Sequence, residues 1–99
     1  MKKAYPVIFT QADDVFLIEV PDLDIVTEGE NKENAIEMAK DAISLTIVTM
    51  EDEKILVPDA SAMEGVDITK GTFADKGKSV VSMVEVDTEA YRDELNTSA

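Results

Sequence analysis

A small α+β fold, one antiparallel sheet with one main helix packed on one face, is what these 99 residues predict. Three observations carry that reading. Apolar residues alternate with period two across Tyr5–Thr10 and Ser79–Val86, and Val15–Val20 is apolar at every position but Glu19. Between them, Asn31–Met50 is the long stretch with a 3.6-residue apolar period. Proline, glycine and acidic turns separate the runs at short intervals. The expected order is β-β-β-α-β-α.

In the first strand, Tyr5, Val7 and Phe9 alternate with Pro6, Ile8 and Thr10. Pro6 cannot donate to a ladder, so this strand is expected at an edge or with that position facing away from a neighbour. Gln11–Asp14 is a polar turn that pairs it with Val15–Val20 as a hairpin. Pro21 stops the second strand. Ile25–Thr27 is a short third strand, and Gly29 is read as freeing the backbone to turn. Asn31 is placed to cap a helix, with Glu33 in the first turn where the helix dipole favours an anion. Ile36, Ala39, Ile43, Ile47 and Met50 form its stripe, and Ala35, Met38, Ala42 and Leu45 widen it into a sheet-covering face.

Residues 55–78 are expected to be an irregular loop, with one short helical turn before Gly65 and a mobile stretch at GTFADKGK. In the fourth strand, Val80, Ser82, Val84 and Val86 share one face, and Val81 and Met83 the other. Asp87 then caps a last helix, TEAYRDELN, with Tyr91 and Leu95 one turn apart.

Composition fits a single domain spanning 1–99, since 44% apolar content supplies one compact core. There is no apolar run near the ~20 residues of a membrane-spanning helix and no secretory leader, so a cytoplasmic protein off the membrane is expected. The absence of cysteine and histidine removes disulfides, thiolate metal sites, the commonest metal ligand and the commonest general base. No glycine-rich phosphate loop or Ser-His pair is present. No catalytic residue, metal site or cofactor is therefore expected.

Charge is the strongest compositional fact. Twenty-two acidic residues face nine basic ones, for a net charge of −13. Between Ala4 and Asn31 stand seven acids and no base: Asp13, Asp14, Glu19, Asp22, Asp24, Glu28 and Glu30. Such a surface repels phosphate backbones, whose binding rests on Lys and Arg. It attracts and steers a basic partner.

Two blocks of sequence carry a resemblance. The first is AYPVIFTQADD followed by VFLIEVPDLDIVTEGENKENAIEMAKDAISL: a tyrosine-initiated strand, an acidic turn, a strand running into Pro-Asp-Leu, then Thr-x-Gly and a helix containing Ala-Lys. The second is VVSMVEVDTEAYRDELN, a strand followed by Val-Asp and a Tyr-Arg helix. Their order and spacing resemble the N-terminal domain of HicB-type antitoxins. The chain departs from that pattern at Val15 and Phe16, where the family has glycine and an aromatic pair, and at Asp24, Ile25 and Val26, where it has Pro-Gly-Cys. The resemblance implies a partial RNase H-like fold. It also implies a C-terminal ribbon-helix-helix or helix-turn-helix module, whose basic strand and two helices the sequence lacks, so no nucleic-acid binding by this chain alone is expected.

By that resemblance the expected function is an antitoxin that binds and masks a small basic HicA-like ribonuclease toxin. Asp13, Asp14, Asp22, Asp24 and Glu28 are the candidate toxin contacts. A stand-alone regulatory or ligand-sensing domain is the alternative reading. A metal-dependent nuclease is a third, disfavoured because Asp13 and Asp14 sit in a turn, away from the strand centres where metal-binding acids are fixed. A homodimer is also expected, because Ser79–Val86 is β-prone and carries one charge, with Val84, Tyr91 and Leu95 as candidate contacts.

Overall fold

A computed structural model of the chain describes residues 2–97. Four strands, β1 (Lys2–Ala12), β2 (Val15–Val20), β3 (Ile25–Gly29) and β4 (Lys78–Asp87), form one sheet in the order β3-β2-β1-β4. Every neighbouring pair is antiparallel. Helix α1 (Lys32–Asp52) follows β3, and helix α2 (Thr88–Thr97) follows β4 directly. This is the α+β architecture read from the sequence.

The hairpin closes over a two-residue turn, Asp13-Asp14, with Ala12 opposite Val15. Asp13 takes a φ of 45°, a left-handed conformation that aspartate tolerates better than most residues. β1 is a central strand, which corrects the expectation of an edge. Pro6 is nevertheless accommodated. It lies opposite Met83 on β4, while on its other side the β2 ladder has ended at Glu19 and the chain turns away through the 3-10 turn Pro21–Leu23. No strand is left there to require the missing donor.

Tyr5, Val7 and Phe9 of β1, Ile18 and Val20 of β2, and Val84 and Val86 of β4 meet Ala35, Ala39, Ile43 and Ile47 of α1 in one core. The alanines let the helix lie close to the sheet. Asn31 caps it: its Oδ1 accepts from the Asn34 amide at 2.8 Å, and Asn34 Oδ1 accepts from the Glu30 amide at 2.9 Å. This differs from a capping box in that the return bond goes to the amide of Glu30, one residue before the cap, and not to that of Asn31.

The predicted stripe needs one correction. Ile36 is 44% exposed, and Met38 and Leu45 are also exposed, whereas Ser44 and Val48 are buried. The buried face shifts along the helix because different neighbours cover its two halves. The second half carries α2, pinned by Arg92, which donates to the Val48 carbonyl at 3.4 Å and pairs with Glu51 at 3.1 Å and Asp52 at 3.0 Å. Asp87 caps α2 as expected, its Oδ1 accepting from the amides of Glu89 and Ala90 at 3.0 and 3.2 Å.

The opposite sheet face is not bare. Pro6, Ile8 and Thr10 are buried there. The segment after α1 covers them, through two short 3-10 turns at Met63–Gly65 and Ile68–Lys70. The first of these is the helical turn anticipated before Gly65. Thr10 and Ser79 join their hydroxyls at 2.7 Å between β1 and β4.

Candidate functional site

The acidic residues do not form one cluster. Asp13 and Asp14 are exposed at the β1–β2 turn, and Glu28 is exposed near the same end of the sheet, since Phe16 lies opposite Gly29. Asp22 and Asp24 lie beyond the other end of β2, a strand of about 17 Å at the usual rise. Asp24 also sits in the left-handed region, with φ 55°. Two acidic poles result, one at each end of the hairpin.

The second pole is partly engaged within the molecule. Asp22 accepts from the Ser61 amide at 2.8 Å and from its hydroxyl at 2.6 Å. Glu19 holds the far part of the same segment, accepting from the Thr72 amide at 2.9 Å and hydroxyl at 2.6 Å. Charge-assisted bonds of this kind are the stronger ones. Buried Tyr5 adds a third tie, donating to the Pro58 carbonyl at 2.7 Å. Burial raises its phenol pKa, and the nearby charges of Asp22 and Asp59 raise it further. Of these ties, the one from Glu19 reaches GTFADKGK, at Thr72, where the sequence pointed to a mobile stretch; the other two hold the stretch before it, at Pro58 and Ser61. Their signal in the sequence was Glu19, the lone acid of an apolar strand.

A second surface lies between the first half of α1 and β4. Phe9, Phe16, Ala35, Ile36, Val80 and Ser82, with Lys32 at the rim, line an apolar groove of about 150 Å³. Val80 is 54% exposed there. The groove abuts the outer edge of β4, which among the described residues pairs only with β1. Val84 is 4% exposed and belongs to the core, so a self-contact through β4 uses the strand edge and not this side chain. Tyr91 is half-buried and Leu95 is 49% exposed. Burial, and then the nearby carboxylate of Asp41, raise the Tyr91 pKa.

Among the described residues no three or more acidic, histidine or cysteine side chains converge as a metal site would require. Nor is any helix long and apolar enough to cross a membrane.

Comparison with known proteins gives three findings. The family model described as the HicB_like antitoxin of bacterial toxin-antitoxin systems matches residues 5–97. A chain of a toxin-antitoxin complex from Streptococcus pneumoniae superposes with a TM-score of 0.80 at 22% sequence identity, over 92% of this chain and 73% of that one. No curated protein matches the sequence. The family match runs from Tyr5 through the end of α2 and takes in both acidic poles, the groove and the β4 edge, so the chain belongs to the HicB_like antitoxin family of bacterial toxin-antitoxin systems.

Proposed function

We propose that this antitoxin binds a small, basic, HicA-like ribonuclease toxin and silences it by competitive masking. The single observation that carries the reading is an antitoxin-family chain with a net charge of −13 whose acids are displayed at two exposed poles. A ribonuclease needs lysines and arginines to hold RNA phosphates. The acidic poles compete for those same side chains, and the body of the domain then blocks the approach of substrate.

Asp13, Asp14 and Glu28 are the freer contacts, with Asp24 at the other pole. Asp22 takes part through whatever capacity its bonds to Ser61 leave. Masking requires no chemistry from this chain, so its role is binding and not catalysis. It acts in the cytoplasm, where messenger RNA is, and as a homodimer through β4 or through Tyr91 and Leu95 of α2. Its charge keeps it off nucleic acid by itself.

Co-expression tests the reading. A short basic protein encoded beside this gene is expected to arrest growth alone, to be rescued by this chain, and to co-purify with it. RNA cleavage by that protein should stop on adding this chain. Rescue without complex formation would refute masking.

A further inference from the structure

We infer that the apolar groove between α1 and β4 is the anchor socket for the basic partner: one aliphatic or aromatic side chain of that protein seats in it, with a lysine or arginine beside it on the acidic hairpin turn. The inference rests on the proposed function and adds the surface that holds the complex together.

The path of α1 creates the groove. The helix starts against β3, where Gly29 lies close to Ala35, and ends beside α2, which follows the last residue of β4. It therefore crosses the sheet diagonally. Val84 and Val86, in the second half of β4, are covered, while Val80 and Ser82 on the same face of the first half are exposed. Buried Phe9 and Ala35 and half-buried Phe16 complete the lining with exposed Ile36 and Val80. An apolar cavity of about 150 Å³ holds one benzene, and the groove has about that volume. It has room for one side chain of leucine to phenylalanine size.

Charge around the mouth names the occupant. Asp14 stands two residues before Phe16, about 7 Å at the usual rise and within the reach of unscreened charge. Asp13 precedes it, and Glu30 follows Gly29, the residue opposite Phe16. On the other flank stand Lys32 at the rim and Lys78, opposite Gln11. An entering segment is thereby oriented, its lysine or arginine toward the hairpin turn and its backbone carbonyls toward Lys32. A second copy of this chain fits poorly. Its most exposed apolar side chain, Leu56 at 90%, lies in EDEKILVPD, where four acids outnumber one lysine, and would bring acid against acid.

Charge and apolar contact act on different steps of binding. Charges at a rim set the rate of encounter and its salt dependence. A side chain buried in a pocket and ringed by such contacts sets how long the complex lasts. The acidic turn and the groove should therefore separate in kinetics.

The test uses this chain and the short basic protein encoded beside its gene, with association and dissociation followed by surface plasmon resonance at low and high salt. Val80→Gln and Ile36→Gln change no charge. Val80→Gln is expected to keep the melting temperature, and Ile36→Gln to lower it slightly. Both should leave the association rate unchanged and speed dissociation about tenfold, the share of one buried apolar side chain, at every salt concentration. Ile36→Leu should restore slow dissociation. Asp14→Asn should do the reverse of the two glutamine variants, slowing association at low salt only. Should Ile36→Gln unfold, Val80→Gln alone carries the measurement. Wild-type dissociation in Val80→Gln overturns the groove and leaves the antitoxin reading standing, since the complex still forms. Loss of self-association in that variant with unchanged toxin kinetics overturns it too, by giving the groove to a second copy. Failure of the wild-type chain to bind the basic protein overturns both.

Discussion

A Cβ placed on Gly29 would stand 2.6 Å from the Cα of Ala35 and 2.7 Å from its amide nitrogen. Gly29 does not adopt a positive φ, so turning freedom is not what the position demands. It demands proximity, because the end of β3 runs against the first turn of α1. Gly29→Ala is therefore expected to cost about 1–3 kcal/mol as an overpacked contact. Gly65→Ala, with nothing near the added methyl, should change little. Equal urea midpoints for Gly29→Ala and the wild type would show that the helix start gives way freely.

The two isoleucines of the predicted stripe should now separate. Ile43 is fully buried and Ile36 opens on the groove. Ile43→Ala is expected to cost about 2–5 kcal/mol, a large share of a small domain's stability. Ile36→Ala should cost less than half of that, since much of its surface stays in water in the folded state. Thermal or denaturant unfolding of the pair checks the order.

What was legible in the sequence was whatever depends on one element at a time. Period-two runs gave three strands, Asn31 gave the helix cap, and Asp87 gave the second. What was not legible depends on how elements cross. Ile36 sits squarely on the apolar stripe, yet α1 leaves it uncovered, while Ser44 and Val48 are covered by a helix more than forty residues later. The candidate acids were adjacent in sequence, but β2 holds them apart at its two ends. Glu19 and Asp22 looked like surface charge because their partners, Thr72 and Ser61, lie in a segment with no periodicity to place it.

The cap of α2 has a pH signature. Amide donation from Ala90 is the main cause that lowers the Asp87 pKa below its ordinary value; burial opposes it, and donation from Glu89 and the attraction of Lys2 add to the lowering. A carboxylate whose folded pKa is depressed stabilises the fold above its unfolded pKa, and that stabilisation is lost as pH falls through the folded value. Exchange of the Glu89 and Ala90 amides should therefore speed up in acid, beyond the intrinsic pH dependence, before the core amides do. Asp87→Asn retains a capping oxygen that cannot ionise, and is expected to flatten that dependence. Persistence of the acid-sensitive step in Asp87→Asn would assign it to another group.

The acidic poles should behave differently when neutralised. The side chains of Asp13, Asp14 and Glu28 are exposed, so Asp13→Asn, Asp14→Asn and Glu28→Gln combined, which leave the backbone pairing intact, should leave the melting temperature unchanged. If this pole steers a basic toxin, the triple variant should slow association by about tenfold or more at low salt, with a smaller effect at high salt. Asp24→Asn measures the other pole alone. Asp22→Asn is a different experiment, because it weakens the bonds to Ser61, and its first effect should be faster amide exchange at Ser61 and neighbouring loop positions. A triple variant that binds the toxin at the wild-type rate at every salt concentration would move the contact away from this pole. A slowed Asp24→Asn would then place the toxin at the far end of the hairpin, beside the anchored loop.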